Sequence, residues 1–146
     1  MLRRRLGDTA FFAMLKDLHT QYVRSRVTTA HLRRLAASHV PNGLPDRTLE
    51  QLFAAYTEST GIPGLKLQTR QRKTGSGVVL TVELEQSGVG EDFSIDVPVE
   101  LDYGRGKTEL RWIRTDGERI SVEWPLPAAP VRVLLDPRNS LLAVKR

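Results

Sequence analysis

The spacing of apolar residues changes at Pro63, and this change constrains the fold more than any other feature of the sequence. Before Pro63, apolar residues recur at intervals of three and four, which is typical of amphipathic helices. After Pro63, they alternate with polar residues, which is typical of strands that bury one face. The sequence therefore predicts an α+β protein, with a short helical segment over residues 1–63 and a β-sheet domain over residues 64–146.

About three helices are predicted in residues 1–63. Short polar side chains that can cap a helix precede each apolar stretch, and the candidate caps are Asp8 or Thr9, Thr28 or Thr29, and Asp46 or Thr48. The apolar residues with helical spacing are Phe11, Met14, Leu15, Leu18, Tyr22, Leu32, Leu35, Ala36, Leu49, Leu52, Phe53 and Tyr56. Proline and glycine end the second and third helices, at residues 41–43 and 61–63. Three helices of this size form a small hydrophobic unit that needs a further surface to pack against.

About seven short strands are predicted in residues 64–146, which is typical of an immunoglobulin-like β-sandwich. The alternating residues that would face the core begin with Leu65 and Leu67 and continue with Val78, Leu80, Val82, Leu84, Phe93, Ile95, Val97, Val99, Leu101, Leu110, Trp112, Ile120, Val122, Trp124, Val131, Val133 and Leu135, and a last segment follows at Leu141–Val144. Asp116-Gly117 predicts a tight type I′ hairpin over residues 115–118. Pro98 has no amide hydrogen, so its strand is expected at a sheet edge or to be irregular there.

Two further expectations follow from which residues of these strands are apolar. Trp112 and Trp124 occupy apolar positions and are expected to be buried between the sheets. Arg111 and Arg114 alternate with apolar neighbours, which is typical of the solvated face of a half-buried strand.

Residues that could carry chemistry are few and scattered. The chain has no cysteine and three histidines, His19, His31 and His39, which do not show the spacing of a zinc-binding H-E-x-x-H helix. The acidic pairs Glu83/Glu85 and Glu91/Asp92 are expected on a strand face and in a loop, and Gly104–Lys107 is expected to be a plain hairpin loop rather than a phosphate loop. No catalytic, cofactor-binding or metal-binding residue is therefore assigned.

The charge of the chain is a mild basic excess, with a formal net charge of +5. Its arginines are scattered and aromatic residues make up only 6% of the chain, so a solvated basic surface is favoured over nucleic-acid binding. No apolar run approaches the roughly 18–20 residues of a membrane span, so no membrane partner is predicted. The sequence does not indicate a compartment.

The order of several local motifs resembles the C-terminal region of the gluzincin zinc aminopeptidases, which include aminopeptidase N and leukotriene A4 hydrolase. The segments that carry the resemblance are residues 1–12, Val27-Thr28-Thr29-Ala30-His31-Leu32, residues 49–56 followed by Gly61-Ile62-Pro63, and Leu135-Asp136-Pro137 followed by Leu141-Leu142. Leu52 and Tyr56 depart from the Phe and Trp that are commoner in that family. The similarity spans nearly the whole chain.

The resemblance implies a non-catalytic piece of a larger metallopeptidase, in which Met1 would be an internal residue. The zinc site, the exopeptidase motif and the oxyanion-stabilising tyrosine of the family all precede the matched part, and Tyr22, Tyr56 and Tyr103 do not occupy that tyrosine's place. Zinc is thus implied for the parent protein only, and no peptidase activity is expected of this chain. Its implied partner is the catalytic domain, and self-association through the helical segment is a further expectation.

Two other interpretations stay open at this point. The chain could be an independent immunoglobulin-like binding module with a helical cap, or a basic protein associated with nucleic acid. An in-frame H-E-x-x-H motif upstream of Met1 would favour the metallopeptidase interpretation.

Overall fold

The computed structural model of the protein covers all residues, Met1–Arg146. The chain divides into two compact units, Met1–Glu58 and Ser59–Arg146. The first unit holds four helices, and the second holds two β-sheets of four and three strands. The protein is therefore a mixed α+β protein whose sheets are consistent with a β-sandwich. None of its helices is long and apolar enough to cross a membrane.

The first unit contains one helix more than the sequence predicts. Its helices are α1 (Leu2–Leu6), α2 (Asp8–Tyr22), α3 (Thr29–Ser38) and α4 (Glu50–Thr57). Gly7 separates α1 from α2, because it adopts a φ of 78° that favours glycine, and its amide hydrogen-bonds the carbonyl of Arg3 at 2.9 Å. The expectation of about three helices was wrong because this break follows a helix of only five residues.

The expected caps were correct for one helix of three. Thr28 caps α3, and its hydroxyl accepts a hydrogen bond from the amide of His31 at 3.2 Å. Asp8 and Thr9 lie inside α2, which Gly7 precedes. Leu49 precedes α4 in a left-handed conformation, while the Asp46 carboxylate accepts from the amide of Leu52 at 3.1 Å. Asp46 thus satisfies an amide in the first turn of α4 from outside the helix.

The helical unit has a small core of its own. The buried residues of this core are Leu6, Met14, Leu35, Ala36, Val40 and Leu49. Of the stripe predicted on α2, Met14 is buried, Phe11 and Leu18 are half-buried, and Leu15 is exposed. The core therefore covers only part of α2.

The second unit consists of β1 (Gly64–Thr74), β2 (Gly77–Ser87), β3 (Asp96–Asp102), β4 (Thr108–Arg114), β5 (Arg119–Leu126), β6 (Arg132–Leu135) and β7 (Val144–Lys145). The order in the four-stranded sheet is β5-β2-β1-β7, and the order in the three-stranded sheet is β4-β3-β6. All pairs are antiparallel except β1 with β7, which is parallel. Strand β2 shows the predicted alternation, with Val78, Leu80, Val82 and Leu84 all buried.

The predicted hairpin at residues 115–118 is wrong, because β4 and β5 belong to different sheets. Thr115 is buried and exchanges hydrogen bonds with Ile95 at the end of β4: its amide donates to the Ile95 carbonyl at 2.9 Å, and its hydroxyl accepts from the Ile95 amide at 3.0 Å. The segment after Thr115 then crosses to the other sheet. Asp116-Gly117 therefore lies in a connection between the two sheets.

Pro98 was expected at a sheet edge or at an irregular position, and the edge is wrong, because its strand is the central one of the three-stranded sheet. The pairing of β3 with β6 covers Val99–Asp102 and stops before Pro98, whose carbonyl accepts from the amide of Asp136 at 2.9 Å. Pro98 therefore lies beyond the end of the β3–β6 ladder, where its missing amide hydrogen breaks no bond between these strands. Phe93 and Ile95 are buried as predicted but precede the strand.

The phase predicted for β4 is also wrong. Ile113 pairs with Val97 and is buried between the sheets, whereas Trp112 pairs with Pro98 on the opposite face. Trp124 does face inward, since it pairs with the buried Leu80, but it is only half-buried because β5 is an edge strand.

Candidate functional site

An apolar surface on α2 is the strongest candidate for a functional surface in the helical unit. We define the α2 face as Phe11, Phe12 and Leu15. Phe12 is 54% exposed and Leu15 is 39% exposed, while Phe11 is half-buried and packs against the core of the unit. Leu15 lies three positions after Phe12 and four after Phe11, so the helix places it beside both phenylalanines.

The Arg3–Asp8 ion pair borders the α2 face. The Arg3 guanidinium lies 5.3 Å from the ring centroid of Phe12 and forms two hydrogen bonds with the Asp8 carboxylate, at 2.8 and 2.9 Å. The Asp8 carboxylate raises the pKa of Arg3, so this guanidinium stays charged. The rings of Phe11 and Phe12 meet edge to face at 5.7 Å. An apolar patch with a charged border is the composition expected of a surface that packs against another protein surface.

A polar and aromatic cluster joins the two sheets on the side where β4 and β5 are the outer strands. The Arg111 guanidinium lies 5.0 Å from the Trp124 ring centroid and donates to the Glu109 carboxylate at 2.7 Å. The Tyr103 hydroxyl donates to the same carboxylate at 3.1 Å, and the Lys107 ammonium lies 5.6 Å from the Tyr103 ring. We call these five residues the edge cluster. Arg111 faces inward here, which corrects the expectation that it lies on a solvated face.

The electrostatics of the edge cluster favour a protonated Tyr103. Burial raises the pKa of Tyr103, and the hydrogen bond to the Glu109 carboxylate raises it further. The tyrosine hydroxyl therefore remains a donor to the Glu109 carboxylate, and the Arg111 guanidinium, bound to the same carboxylate, contacts Trp124 of the other sheet. This geometry suits a structural contact between sheets.

The three histidines do not form a donor set for zinc. His31 belongs to the capping box of α3 and stacks on Tyr22 at 5.4 Å between ring centroids, and His39 Nε2 lies 3.0 Å from the Asp17 carboxylate. His19 is exposed in the last turn of α2. No group of three or more histidine, aspartate or glutamate side chains is placed to hold a metal ion.

The other candidate residues take structural positions. Glu83 and Glu85 lie on the outer face of β2, where Glu85 contacts Lys66 at 3.4 Å and Arg119 at 2.5 Å. Glu91 and Asp92 are exposed in a loop. Gly104–Lys107 connects the antiparallel strands β3 and β4, which confirms the predicted hairpin loop.

Three buried charged residues, Arg5, Asp102 and Asp136, were missed by the sequence reasoning. Arg5 was counted with the scattered basic residues, yet it is buried and donates to the carbonyl of Pro45. Asp136 was noted as part of the Leu135-Asp136-Pro137 motif, yet its buried carboxylate accepts from the amide and hydroxyl of Ser140, at 2.9 and 2.6 Å, and from the amide of Leu141 at 3.0 Å. The Asp-Pro sequence followed by Ser140 was the available signal, since aspartate commonly accepts bonds from amides in a turn.

Comparison with known proteins gives no assignment. No protein-family model matches the chain, and no curated protein is significantly similar to it in sequence.

Proposed function

We propose that this chain is a non-catalytic part of a zinc aminopeptidase-like metallopeptidase and that it supports the catalytic domain as a scaffold. The observation that carries the proposal is the α2 face, on which Phe12 and Leu15 are exposed although the helical unit has a core of its own. In a larger protein this face would pack against helices of the catalytic domain. The zinc site would belong to that domain, because the histidines of this chain are not arranged as ligands.

The positions of the motifs support the same proposal. The Thr28 motif begins α3, the segment from Leu49 contains α4, and the Asp136 motif forms a hydrogen-bonded turn after β6. Each motif that resembles the metallopeptidase family thus coincides with a defined structural element, in the order expected of the end of a helical domain followed by a sandwich.

The strand order supports an immunoglobulin-like topology for the second unit. The order β5-β2-β1 corresponds to strands E, B and A of an immunoglobulin domain, and β4-β3-β6 corresponds to C′, C and F. Strand β7 departs from that pattern, because it pairs with β1 and not with β6. We assign β7 to the last strand of the immunoglobulin pattern, which in this chain belongs to the four-stranded sheet.

The size of the native protein tests the proposal. An antibody raised against residues 59–146 should detect, in extracts of the source organism, a polypeptide much larger than 16.4 kDa. Mass spectrometry of that band should identify peptides that precede Met1 and contain an H-E-x-x-H motif.

A native polypeptide of 16.4 kDa that begins at Met1 would contradict the proposal. It would favour the alternative, an independent immunoglobulin-like binding module with a helical cap. The observation on the side of this alternative is that the second unit has a fully buried core of its own, which includes Leu65, Leu80, Leu84 and Val97.

A further inference from the structure

Most of strand β1 has a neighbour on one side only. Strand β2 pairs with β1 along its whole length, from Gly64 to Thr74, whereas β7 pairs only with Gly64 and Leu65. From Lys66 to Thr74 the other side of the strand is open. We call this stretch the open edge of β1.

The backbone groups at the open edge follow from the bonds to β7. The carbonyls of Pro63 and Leu65 accept from the amides of Val144 and Arg146, so odd-numbered residues of β1 direct their backbone groups away from β2. Thr69, Gln71 and Lys73 therefore present amides and carbonyls to the open side. All three residues are exposed.

The open edge is long enough to template a further strand. Its residues from Lys66 to Thr74 span about 30 Å at about 3.3 Å per residue. Unpaired strand edges of this kind bind extended peptides through main-chain hydrogen bonds, and the alternating side chains then provide specificity.

The positive charge of the open edge indicates which kind of segment can pair with it. Residues 66–74 contain Lys66, Arg70, Arg72 and Lys73 and no acidic residue. Arg70 and Arg72 pair with Thr81 and Val79 of β2, neither of which is a carboxylate. Two copies of the chain that paired along this edge would place these basic side chains against one another, which is unfavourable.

We propose that the open edge of β1 binds an extended acidic segment of a partner protein, which adds to the sheet as a further strand. Carboxylates at alternate positions would lie beside Arg70 and Arg72 on the outer face. Apolar or β-branched residues between them would lie beside Leu67 and Thr69 on the other face. This inference goes beyond the proposed scaffold function and does not depend on it.

A synthetic peptide tests the proposal. The probe is a fluorescent nine-residue peptide in which glutamate alternates with valine, and its control has lysine in place of every glutamate. The full chain should bind the acidic peptide saturably by fluorescence anisotropy, bind it more weakly in high salt, and not bind the control. Hydrogen exchange measured by NMR should slow at the amides of Thr69, Gln71 and Lys73 when the acidic peptide is bound.

Three variants separate the roles of backbone and charge. Thr69→Pro removes one amide on the open side and leaves the bonds to β2 intact, so it should abolish binding, whereas Thr69→Ala keeps the amide and should bind normally. The double variant Arg70→Glu with Arg72→Glu should weaken binding about tenfold or more and needs no proline in the strand. Circular dichroism and tryptophan fluorescence verify that each variant is folded. If Thr69→Pro is not folded, the binding of the double variant decides the test.

The proposal is overturned if the acidic peptide does not bind, or if it binds without protecting these three amides. Equal binding to the wild-type chain and to the Arg70→Glu, Arg72→Glu variant would also overturn it. A salt-resistant dimer that Thr69→Pro abolishes would assign the edge to a second copy of the chain instead.

Discussion

Asp136 shows how one side chain can organise a whole turn. Its carboxylate accepts three hydrogen bonds from Ser140 and Leu141, and its backbone carbonyl accepts from the Lys145 ammonium at 2.7 Å. The residue has a φ of 37°, in the left-handed region that aspartate tolerates better than most residues. The turn between β6 and β7 therefore depends on both the oxygens and the backbone of this residue.

Substitution of Asp136 tests this dependence. Asp136→Ala should lower the free energy of unfolding by about 2–4 kcal/mol, because it leaves several donors in a partly buried turn without acceptors. Asp136→Asn keeps one acceptor oxygen and tolerates the same φ, so its effect should be about half as large. Urea unfolding of both variants measures the difference, and equal stability of the alanine variant and the wild type would contradict the assigned role.

Asp102 makes the stability of the sheet unit depend on pH. The Gly104 amide, which donates to its carboxylate at 2.7 Å, lowers the pKa of Asp102 below the ordinary value of 3.8, and the Arg132 guanidinium lowers it further. A carboxyl with a lowered pKa stabilises the folded state above its unfolded pKa, and this contribution is lost as the pH falls through the folded pKa.

We therefore expect the wild-type chain to lose stability below about pH 4 more steeply than Asp102→Asn. The asparagine variant cannot titrate at this position and cannot form the ion pair with Arg132. The measurement is the difference in urea midpoint between the two proteins across the acid range. A difference that does not change with pH would show that Asp102 is not responsible.

At the scale of single elements, the hydrophobic pattern predicted strands well where one face is buried along their whole length. Strand β2 is the clearest case, since it lies in the interior of the four-stranded sheet and every second residue is buried. The same reasoning failed for β4, because apolar residues occupy both of its faces: Ile113 on one, Leu110 and Trp112 on the other. Alternation cannot identify the inner face of such a strand.

Two variants of β4, one on each face of the strand, show which face is buried. Ile113 is 2% exposed and Leu110 is 37% exposed. Ile113→Ala should lower the free energy of unfolding by about 2–5 kcal/mol, because it leaves a cavity between the sheets. Leu110→Ala should lower it by about 1 kcal/mol or less. A larger effect at Leu110 would restore the phase predicted from the sequence.

The helical elements show a second limit of sequence reasoning. The cap at Thr28 follows a local rule, so the sequence predicted it. The break at Gly7 and the left-handed Leu49 depend on the backbone path between elements. The α2 face was predicted in part, since Phe11 and Leu15 belonged to the expected stripe, but Phe12 did not. The edge cluster could not be predicted, because it joins strands of different sheets.

At the scale of the whole molecule, the α2 face should make the isolated chain self-associate. Exposed apolar side chains of this kind commonly mark an interface. Sedimentation velocity should therefore show reversible association that increases with protein concentration. Phe12→Glu with Leu15→Glu should suppress it, whereas Gln21→Glu, at another exposed position of α2, should not. A wild-type chain that stays monomeric at high concentration and binds no hydrophobic dye would contradict this expectation.

The two units should also differ in their ability to fold alone. Residues 59–146 contain both sheets and a fully buried core, so this fragment should be a soluble β-rich monomer with a cooperative thermal transition. Its circular dichroism and melting curve can be compared with those of the full chain. A fragment without a cooperative transition would show that the sheets require residues 1–58.

The pairing of β1 with β7 has a consequence for the response of the sheet unit to force. The first and last strands are parallel neighbours, joined by the bonds from Val144 to Pro63 at 2.8 Å and from Arg146 to Leu65 at 2.9 Å. Tension applied at the two ends pulls β1 from its beginning and β7 from its end, in opposite directions along the strand axis. These bonds are then loaded in shear and must rupture together, so the C-terminal residues act as a mechanical clamp on the point where the chain enters the sheet.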